Sequence, residues 1–287
     1  MTQSLPRQVV TYEMVIHSTI FRNIGGSSIE RGGAIYKSGN FPITLLFCSF
    51  ISCRSLSSAG AVYISGDTAY LSELCYYNCS TVSVVNNYYG NAIEGYCNSY
   101  LNFSYAAFSG LSPDSASDST FYFYGGFSLS TDLNCTDCSG YGGSSGLFYE
   151  QKTSYSCIKN TNIIRGSAAC AYVFVSVTNT LLDRINIISQ ESVWALWWVQ
   201  TSTVTVSNSC CYYCTFTKLY DPSSPLFTDS YIDINSAIQG LSNTIIPTFQ
   251  IQINNKHQCN LIKITKPSKI SHPFKCVTVL TVAYCLL

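Results

Sequence analysis

The chain has 287 residues, of which 10% are charged and 47% are hydrophobic, and its 15 basic residues balance its 15 acidic ones. A nucleic-acid-binding protein shows a basic excess, so a net charge of zero argues against that class. With so few charges, the surface has to be covered by Ser, Thr, Asn and Tyr. The 22 Tyr and 15 Phe residues favour pleated strands.

The order of segments along the chain predicts three regions. Residues 1–17 contain no apolar run of the length that a signal peptide needs, and we expect an N-terminal cap or irregular segment there. Residues 18–255 carry the repeats described below. Residues 256–287 are first basic and then apolar, which favours a last strand or cap over a truncated membrane anchor because the apolar run is shorter than the roughly 20 residues of a spanning helix.

An internal repeat begins near residue 32. The sequence GGAIYKSGN at 32–40 is echoed by AGAVYISGD at 59–67, 27 residues further on, and a fainter third copy is GNAI at 90–93. A second pattern runs beside it, in which an apolar or aromatic residue is followed three positions later by Cys or Asn. Its last members form the predicted structural ladder: Asn23, Cys53, Cys79, Cys138, Asn160 and Cys214.

A period of about 22 to 30 residues is long enough for three short strands and three turns, which returns the chain one strand spacing above its start. One such coil has no core of its own, so stability has to come from stacking on neighbours. No 3.6-residue apolar stripe with a capping box is present. The sequence therefore predicts an all-β, single-stranded right-handed parallel β-helix (a solenoid) of roughly 8 to 10 coils with little helix.

The GGAI sequence at 32–35 and the Phe50…Cys53 spacing resemble the GGAI and FxxN repeats of polymorphic outer-membrane proteins. The chain also resembles Cys-rich right-handed β-helix proteins of protist surfaces. The match covers residues 20–100, and the remainder agrees in rhythm only, with Cys replacing Asn in several rungs. This resemblance implies a cell-surface or secreted protein with an adhesin-like role, whose partner is a host or cell-surface protein or a glycan. Membrane association would involve only the C-terminal segment.

The 15 cysteines allow two interpretations. Inward positions that recur once per coil favour buried structural thiols, whereas Cys-rich secreted chains often form disulfides, and stacked positions about 4.8 Å apart are within disulfide range. The C-x-x-C pairs at 135–138 and 211–214 lack nearby His, so we predict no metal site. Three Asn-x-Ser/Thr sequences fit the N-glycosylation pattern, at Asn78, Asn102 and Asn134.

Evidence for catalysis is sparse in the sequence. Polysaccharide lyases and hydrolases on β-helix scaffolds need paired carboxylates that converge on one sheet face. The closest acidic pairs, Asp114/Asp118 and Asp132/Asp137, lie in stretches typical of loops, and the three His residues have no Ser or Cys partner pattern. We therefore predict no catalytic residue and no cofactor, with a polysaccharide-active enzyme as the alternative and a structural or decayed family member without a ligand as a third possibility.

All three tryptophans lie between residues 193 and 199, in the sequence VWALWWV. If this segment is one strand, alternation places Trp194 and Trp198 on the face opposite Trp197. The main interpretation is a coil filled by aromatic side chains. The functional one is a flat ligand platform formed by an outward-facing indole.

Overall fold

The computed structural model describes residues 8–10, 12–25, 31–56, 58–81, 90–111, 119–150 and 155–232. Every regular element within these residues is a strand, and no helix occurs among them. The strands are β1 (Gln8–Val10), β2 (Met14–His17), β3 (Ile20–Arg22), β4 (Ile35–Ser38), β5 (Ile43–Leu46), β6 (Ser49–Ile51), β7 (Arg54–Ser55), β8 (Val62–Tyr77), β9 (Ser80–Thr81), β10 (Gly90–Ser109), β11 (Ser119–Tyr124), β12 (Phe127–Thr136), β13 (Ser139–Ser144), β14 (Leu147–Glu150), β15 (Ser156–Ile164), β16 (Ser167–Val175), β17 (Thr180–Ile188), β18 (Glu191–Gln200), β19 (Val204–Ser207), β20 (Cys210–Tyr212), β21 (Thr215–Pro222), β22 (Leu226–Thr228) and β23 (Tyr231–Ile232).

All strand pairs are parallel, and most of them build three columns of nine stacked segments each. The pair β7 and β9, and the pairing of β13 with the start of β16, lie outside these columns. The first column contains β1, β4, the starts of β8 and β10, β11, β14, the ends of β16 and β18, and β21. The second contains β2, β5, the middles of β8 and β10, and the starts of β12, β15 and β17, then β19 and β22. The third contains β3, β6, the ends of β8, β10, β12, β15 and β17, then β20 and β23. The predicted all-β parallel solenoid is confirmed.

The interior is a continuous core formed by stacked side chains of successive coils. In the third column Phe21, Phe50, Tyr76 and Phe108 follow one another with ring centroids 5.1, 4.9 and 4.8 Å apart and nearly parallel ring planes. All four side chains are buried. Such a stack buries the large apolar area of each ring against the coils above and below it, so no coil could hold this core alone.

Two corners of every coil are made by a residue with positive φ. The residues between the second and third columns are Ser18, Phe47, Glu73, Tyr105, Asp132, Asn160, Arg184, Asn208 and Asp229. Those that follow the third column are Asn23, Ser52, Asn78, Gly110, Asp137, Arg165, Ser189 and Tyr213. We call these the first and second corner rows. Asn and Asp, which tolerate this conformation best, are frequent in both.

The glycine repeat lies where successive coils approach most closely. The three sequence copies are in register, because Ile35 pairs with Val62 and Val62 with Ile93. A Cβ added at Gly33 would overlap the carbonyl oxygens of Gly60 and Arg54. Gly therefore permits backbone contact between coils at this position. Residues 1–7 and 233–287 lie outside the described residues, so the proposed C-terminal segment is not part of this description.

Candidate functional site

The outward row of the first column is rich in aromatic side chains. Its register runs from Tyr36 to Tyr63, Glu94 and Tyr122. The rings of Tyr36 and Tyr63 stack with centroids 5.2 Å apart. The ring of Tyr96, two residues after Glu94 in β10, has its centroid 5.9 Å from the ring centroids of both Tyr63 and Tyr122. Strand alternation explains this row, because every second residue of the column points away from the core.

The same face has a hydrophobic cluster of its own, separate from the interior core. Its buried members are Tyr122, Cys170, Val173 and Ala195, and half-buried Tyr96, Tyr124, Ala169, Val175 and Trp198 pack against them. We call this set the outer cluster. These side chains pack on one another outside the stacked interior, and their burial stabilises this face of the solenoid.

A buried carboxyl lies within the outward row. Glu94 is fully buried, and the side chains of Ser58 and Tyr96 lie near its carboxyl. Burial raises the pKa of Glu94. Arg31 lies close by and donates a hydrogen bond of 3.0 Å to the Tyr63 hydroxyl. The row therefore combines a raised-pKa acid with a guanidinium and several phenols.

A second carboxylate on this face has a strong partner. The Tyr122 hydroxyl donates a hydrogen bond of 2.6 Å to Glu150 Oε2. Burial raises the pKa of Tyr122, and the neighbouring Glu150 carboxylate raises it further. This contact leaves Glu150 as an acceptor on the outside of the first column, two layers beyond Glu94.

The tryptophan segment lies on the same face in β18. Trp197 points inward and is 2% exposed, whereas Trp194 is 44% exposed and Trp198 packs in the outer cluster. A register irregularity between Ser192 and Ala195 interrupts the pairing of β18 and places Trp194 in the unpaired part. The alternation expected from the sequence is therefore present, with Trp194 and Trp198 outside.

Trp194 is held in a defined orientation. Its Nε1 donates a hydrogen bond of 2.9 Å to Asp221 Oδ2, which also accepts one of 3.1 Å from Lys218 Nζ. Its ring is perpendicular to that of Trp198, with centroids 4.2 Å apart and planes at 83°. In a stacked pair such as Tyr36 and Tyr63 the rings cover each other's faces. In the perpendicular pair the two indoles do not cover each other in this way, and Trp194 remains 44% exposed.

Four of the six predicted ladder residues share one position of the coil. Cys53, Cys79, Cys138 and Cys214 each follow a residue of the second corner row, and each is buried. Cys53 and Cys79 occupy facing positions in adjacent coils, because the residues that follow them, Arg54 and Ser80, pair directly. The Cys138 and Cys214 coils are separated from these and from each other by coils with other side chains.

The structure corrects the placement of the other two ladder residues. Asn23 and Asn160 are not inward rungs. Asn23 is exposed in the second corner row and Asn160 is half-buried in the first. In both cases the pattern is displaced by one residue, because the inward side chains of these coils are Phe21 and Ile158. The Asn160 amide instead donates a hydrogen bond of 3.1 Å to Asp132 Oδ1 of the preceding coil.

Ile185-Asn186 and Leu101-Asn102 fit the degenerate rungs that the spacing leaves open between the predicted ladder residues, but the spacing does not predict the partner of Asn186. Asn162 and Asn186 face each other in β15 and β17, and the Asn186 amide donates a buried hydrogen bond of 2.9 Å to Asn162 Oδ1. The shared sequence Asn-Ile-Ile at 162–164 and 186–188, 24 residues apart, would have revealed this pair. The cysteines show both predicted chemistries, since Cys211 and Cys214 form a disulfide whereas Cys48, Cys53, Cys79, Cys135, Cys138, Cys157 and Cys170 are buried thiols.

The other residues considered in the sequence are dispersed. Asp132 and Asp137 occupy different corner rows, and Asp137 forms an ion pair of 2.7 Å with Arg165. His17 is exposed next to Ser18. Of the three sequon asparagines, Asn78 is exposed at a corner, and Asn102 and Asn134 are half-buried. Asp114, Asp118, His257 and His272 lie outside the described residues.

The described residues contain no group of three or more His, Cys, Asp or Glu side chains placed to hold a metal ion. They also contain no helix of the length and hydropathy needed to cross a membrane.

The fold and this face together define a class of protein, the parallel β-solenoid, with an aromatic outer cluster on one of its three columns. Comparison adds no family to this class. No protein-family model, no curated protein sequence and no solved structure matches the chain.

Proposed function

We propose that the protein is a non-catalytic β-helix of the cell surface or of the secreted fraction, with an adhesin-like role, and that it binds a glycan on the outward face of the first column. The surface setting and the adhesin-like role rest on the resemblance of its GGAI and Phe50…Cys53 sequences to surface repeats. The binding face rests on one observation, the exposed Trp194 indole held over the outer cluster by Asp221.

The chemistry of this face favours a sugar over an extended protein contact. A sugar ring presents C–H groups that pack on an aromatic face, together with hydroxyls that need hydrogen-bond partners, and pockets for such ligands combine aromatic surface with a few convergent polar groups. Next to Trp194 the side chains of Asp221 and Lys218 are only part-buried and supply both an acceptor and a donor. The exposed indole of Trp194 and this polar pair lie in adjacent coils, β18 and β21, and are joined by the hydrogen bond from Trp194 to Asp221.

One observation favours a second candidate, a polysaccharide lyase or hydrolase. Glu94 and Glu150 lie on the same outward face, and burial raises the pKa of Glu94, as in a general acid. This candidate predicts turnover of a polysaccharide that is abolished by Glu94→Gln. The binding proposal predicts no turnover of the same polysaccharides.

The experiment is a glycan-array measurement with the labelled full-length protein, followed by titration of the glycans that bind. We expect Trp194→Ala to weaken binding at least 10-fold, because it removes the platform. Leu226→Ala is the matched control, since Leu226 is 55% exposed on the outside of the second column, away from this face. It should bind as the wild type does.

Three outcomes would contradict the proposal. Equal glycan affinities of Trp194→Ala and the wild type would show that the Trp194 indole is not the binding surface. Binding to cells that persists after their glycans are enzymatically removed would indicate a protein partner. Absence of binding to both the array and cells would favour the third possibility, a structural member of the resembled group without a specific ligand.

A further inference from the structure

Cys53 and Cys79 form a facing pair of thiols inside the solenoid. They lie in consecutive coils at the same corner, and both side chains are fully buried. Facing residues of adjacent strands are about 4.8 Å apart, which is within the range of about 4.4 to 6.8 Å between Cα atoms that a disulfide accepts. The backbone register therefore brings the two Cα atoms within the range that a disulfide between coils requires.

Cys48 shows what the same environment does without a partner thiol. Its Sγ donates weak hydrogen bonds to the carbonyl oxygens of Ile16 and Leu46, at 3.6 and 3.3 Å. Cys53 does the same to the carbonyls of Phe21 and Ile51, at 3.6 and 3.8 Å. Both thiols are buried in one coil, but the neighbours that face Cys48 are Thr19 and Leu74 rather than cysteine.

The facing pair differs from Cys48 in acidity. The hydrogen bond from the Cys79 thiol lowers the pKa of Cys53, whereas burial raises the pKa of Cys48 and of Cys79. The thiolate is the reactive form of cysteine, so the lower pKa favours Cys53 over Cys79 as the attacking sulfur.

We propose that Cys53 and Cys79 are an oxidisable pair that a small peroxide converts into a disulfide linking two consecutive coils. The Cys53 thiolate attacks one oxygen of hydrogen peroxide, the O–O bond breaks, and hydroxide leaves as Cys53 becomes a sulfenic acid. The Cys79 sulfur then attacks the Cys53 sulfur, the S–O bond breaks, and the departing hydroxide takes the Cys79 proton as water. The hydroxide released in the first step takes up the proton that Cys53 lost on forming its thiolate. Two sulfurs are therefore each oxidised by one electron, and one peroxide is reduced to two waters.

Oxidation of the buried pair requires a local opening at this corner. The residues that directly follow the two cysteines form β7 and β9, a sheet of two residues per strand that is separate from the main sheet. Arg54 is also bridged to Gly25 of the preceding coil. The proposal therefore includes a transient opening of this short sheet, through which peroxide reaches the thiols.

The test is peroxide treatment of the reduced, folded, full-length protein. The remaining thiols are then alkylated in denaturant, and the peptides are identified by mass spectrometry. We expect a linked peptide containing Cys53 and Cys79 in the wild type and in the matched control Cys48→Ser. In Cys79→Ser, a sulfenic-acid trap should label Cys53. The linked wild-type protein should also unfold on the order of 10 °C higher than its reduced form, because the bond closes a long loop.

The proposal is overturned if oxidised wild type contains no peptide linking Cys53 and Cys79, or if Cys48 is oxidised as fast as Cys53. The wild-type measurement does not depend on any variant folding. The result is also independent of glycan binding, so failure of one proposal is distinguishable from failure of the other.

Discussion

Replacing Gly60 by Ala tests the close approach of successive coils at the glycine repeat. A Cβ at this position would overlap the carbonyl oxygen of Ser80 and lie 2.5 Å from that of Asn91, where ordinary contact begins at 3.4 Å. Both obstacles are backbone atoms of other segments, so no side chain can rotate away. Overpacking in a core costs about 1 to 3 kcal/mol, and we expect a value near the upper end, about 3 kcal/mol. For a chain of this size that lowers Tm by about 6 to 12 °C.

Thermal and urea unfolding, followed by circular dichroism, would measure this change. Gly110→Ala is the control, since Gly110 has φ of +61° but nothing within 4 Å of an added Cβ. This variant tests left-handed backbone strain alone, and we expect it to lower the free energy of unfolding by about 1 to 2 kcal/mol. A Gly60→Ala protein that unfolds within about 0.5 kcal/mol of the wild type would refute the stacking of coils at this position.

Three further predictions concern polar groups. Because burial raises the pKa of Glu94, the folded protein retains a proton that the unfolded chain loses above about pH 4.3, so the contribution of Glu94 to stability falls as pH rises through that value. Glu94→Gln should flatten this fall in the free energy of unfolding, measured by urea titrations at several pH values. An unchanged pH profile would contradict the prediction. Asn186→Ala leaves buried Asn162 Oδ1 without its donor and should cost about 1 to 3 kcal/mol in urea unfolding; a cost below about 0.5 kcal/mol would exclude the amide ladder. Asp137→Asn should cost less than about 1 kcal/mol, and still less in high salt, because the ion pair with Arg165 is exposed; a larger loss, insensitive to salt, would be incompatible with that exposure.

The sequence predicted the solenoid because stacking imposes like residues on like positions. The copies at 32–35, 59–62 and 90–93 are in register in the structure, since each contributes a close backbone approach and a buried aliphatic residue. Such a position has little freedom to vary, and the repeat therefore remains visible. Later coils repeat no such glycine sequence, so the period is less visible there in the sequence.

The ladder prediction was wrong at Asn23 and Asn160 because two corners obey the same local rule. At each corner the chain places one residue inward, the next outward, a third at positive φ and the fourth inward. Phe50 to Cys53 follows this rule after the third column, and Leu45 to Cys48 follows it after the second. A three-residue spacing from apolar residue to Cys or Asn therefore does not identify the corner. A displacement by one residue moves a side chain to the opposite face.

The outward face of the first column could not be predicted from the repeat, and this follows from the same physics. Inward residues recur because each has to fill the space between two coils, whereas residues on the outward face pack against one another along the column and can differ from coil to coil. Tyr63, Glu94 and Tyr122 are consecutive members of one outward row, and all three are buried although their residue types differ. The contacts that hold this face join unlike residues: the Tyr122 hydroxyl donates to Glu150 of the next coil. A repeat in the sequence reveals only positions where like residues stack on like, so pairings of this kind leave no periodic signal.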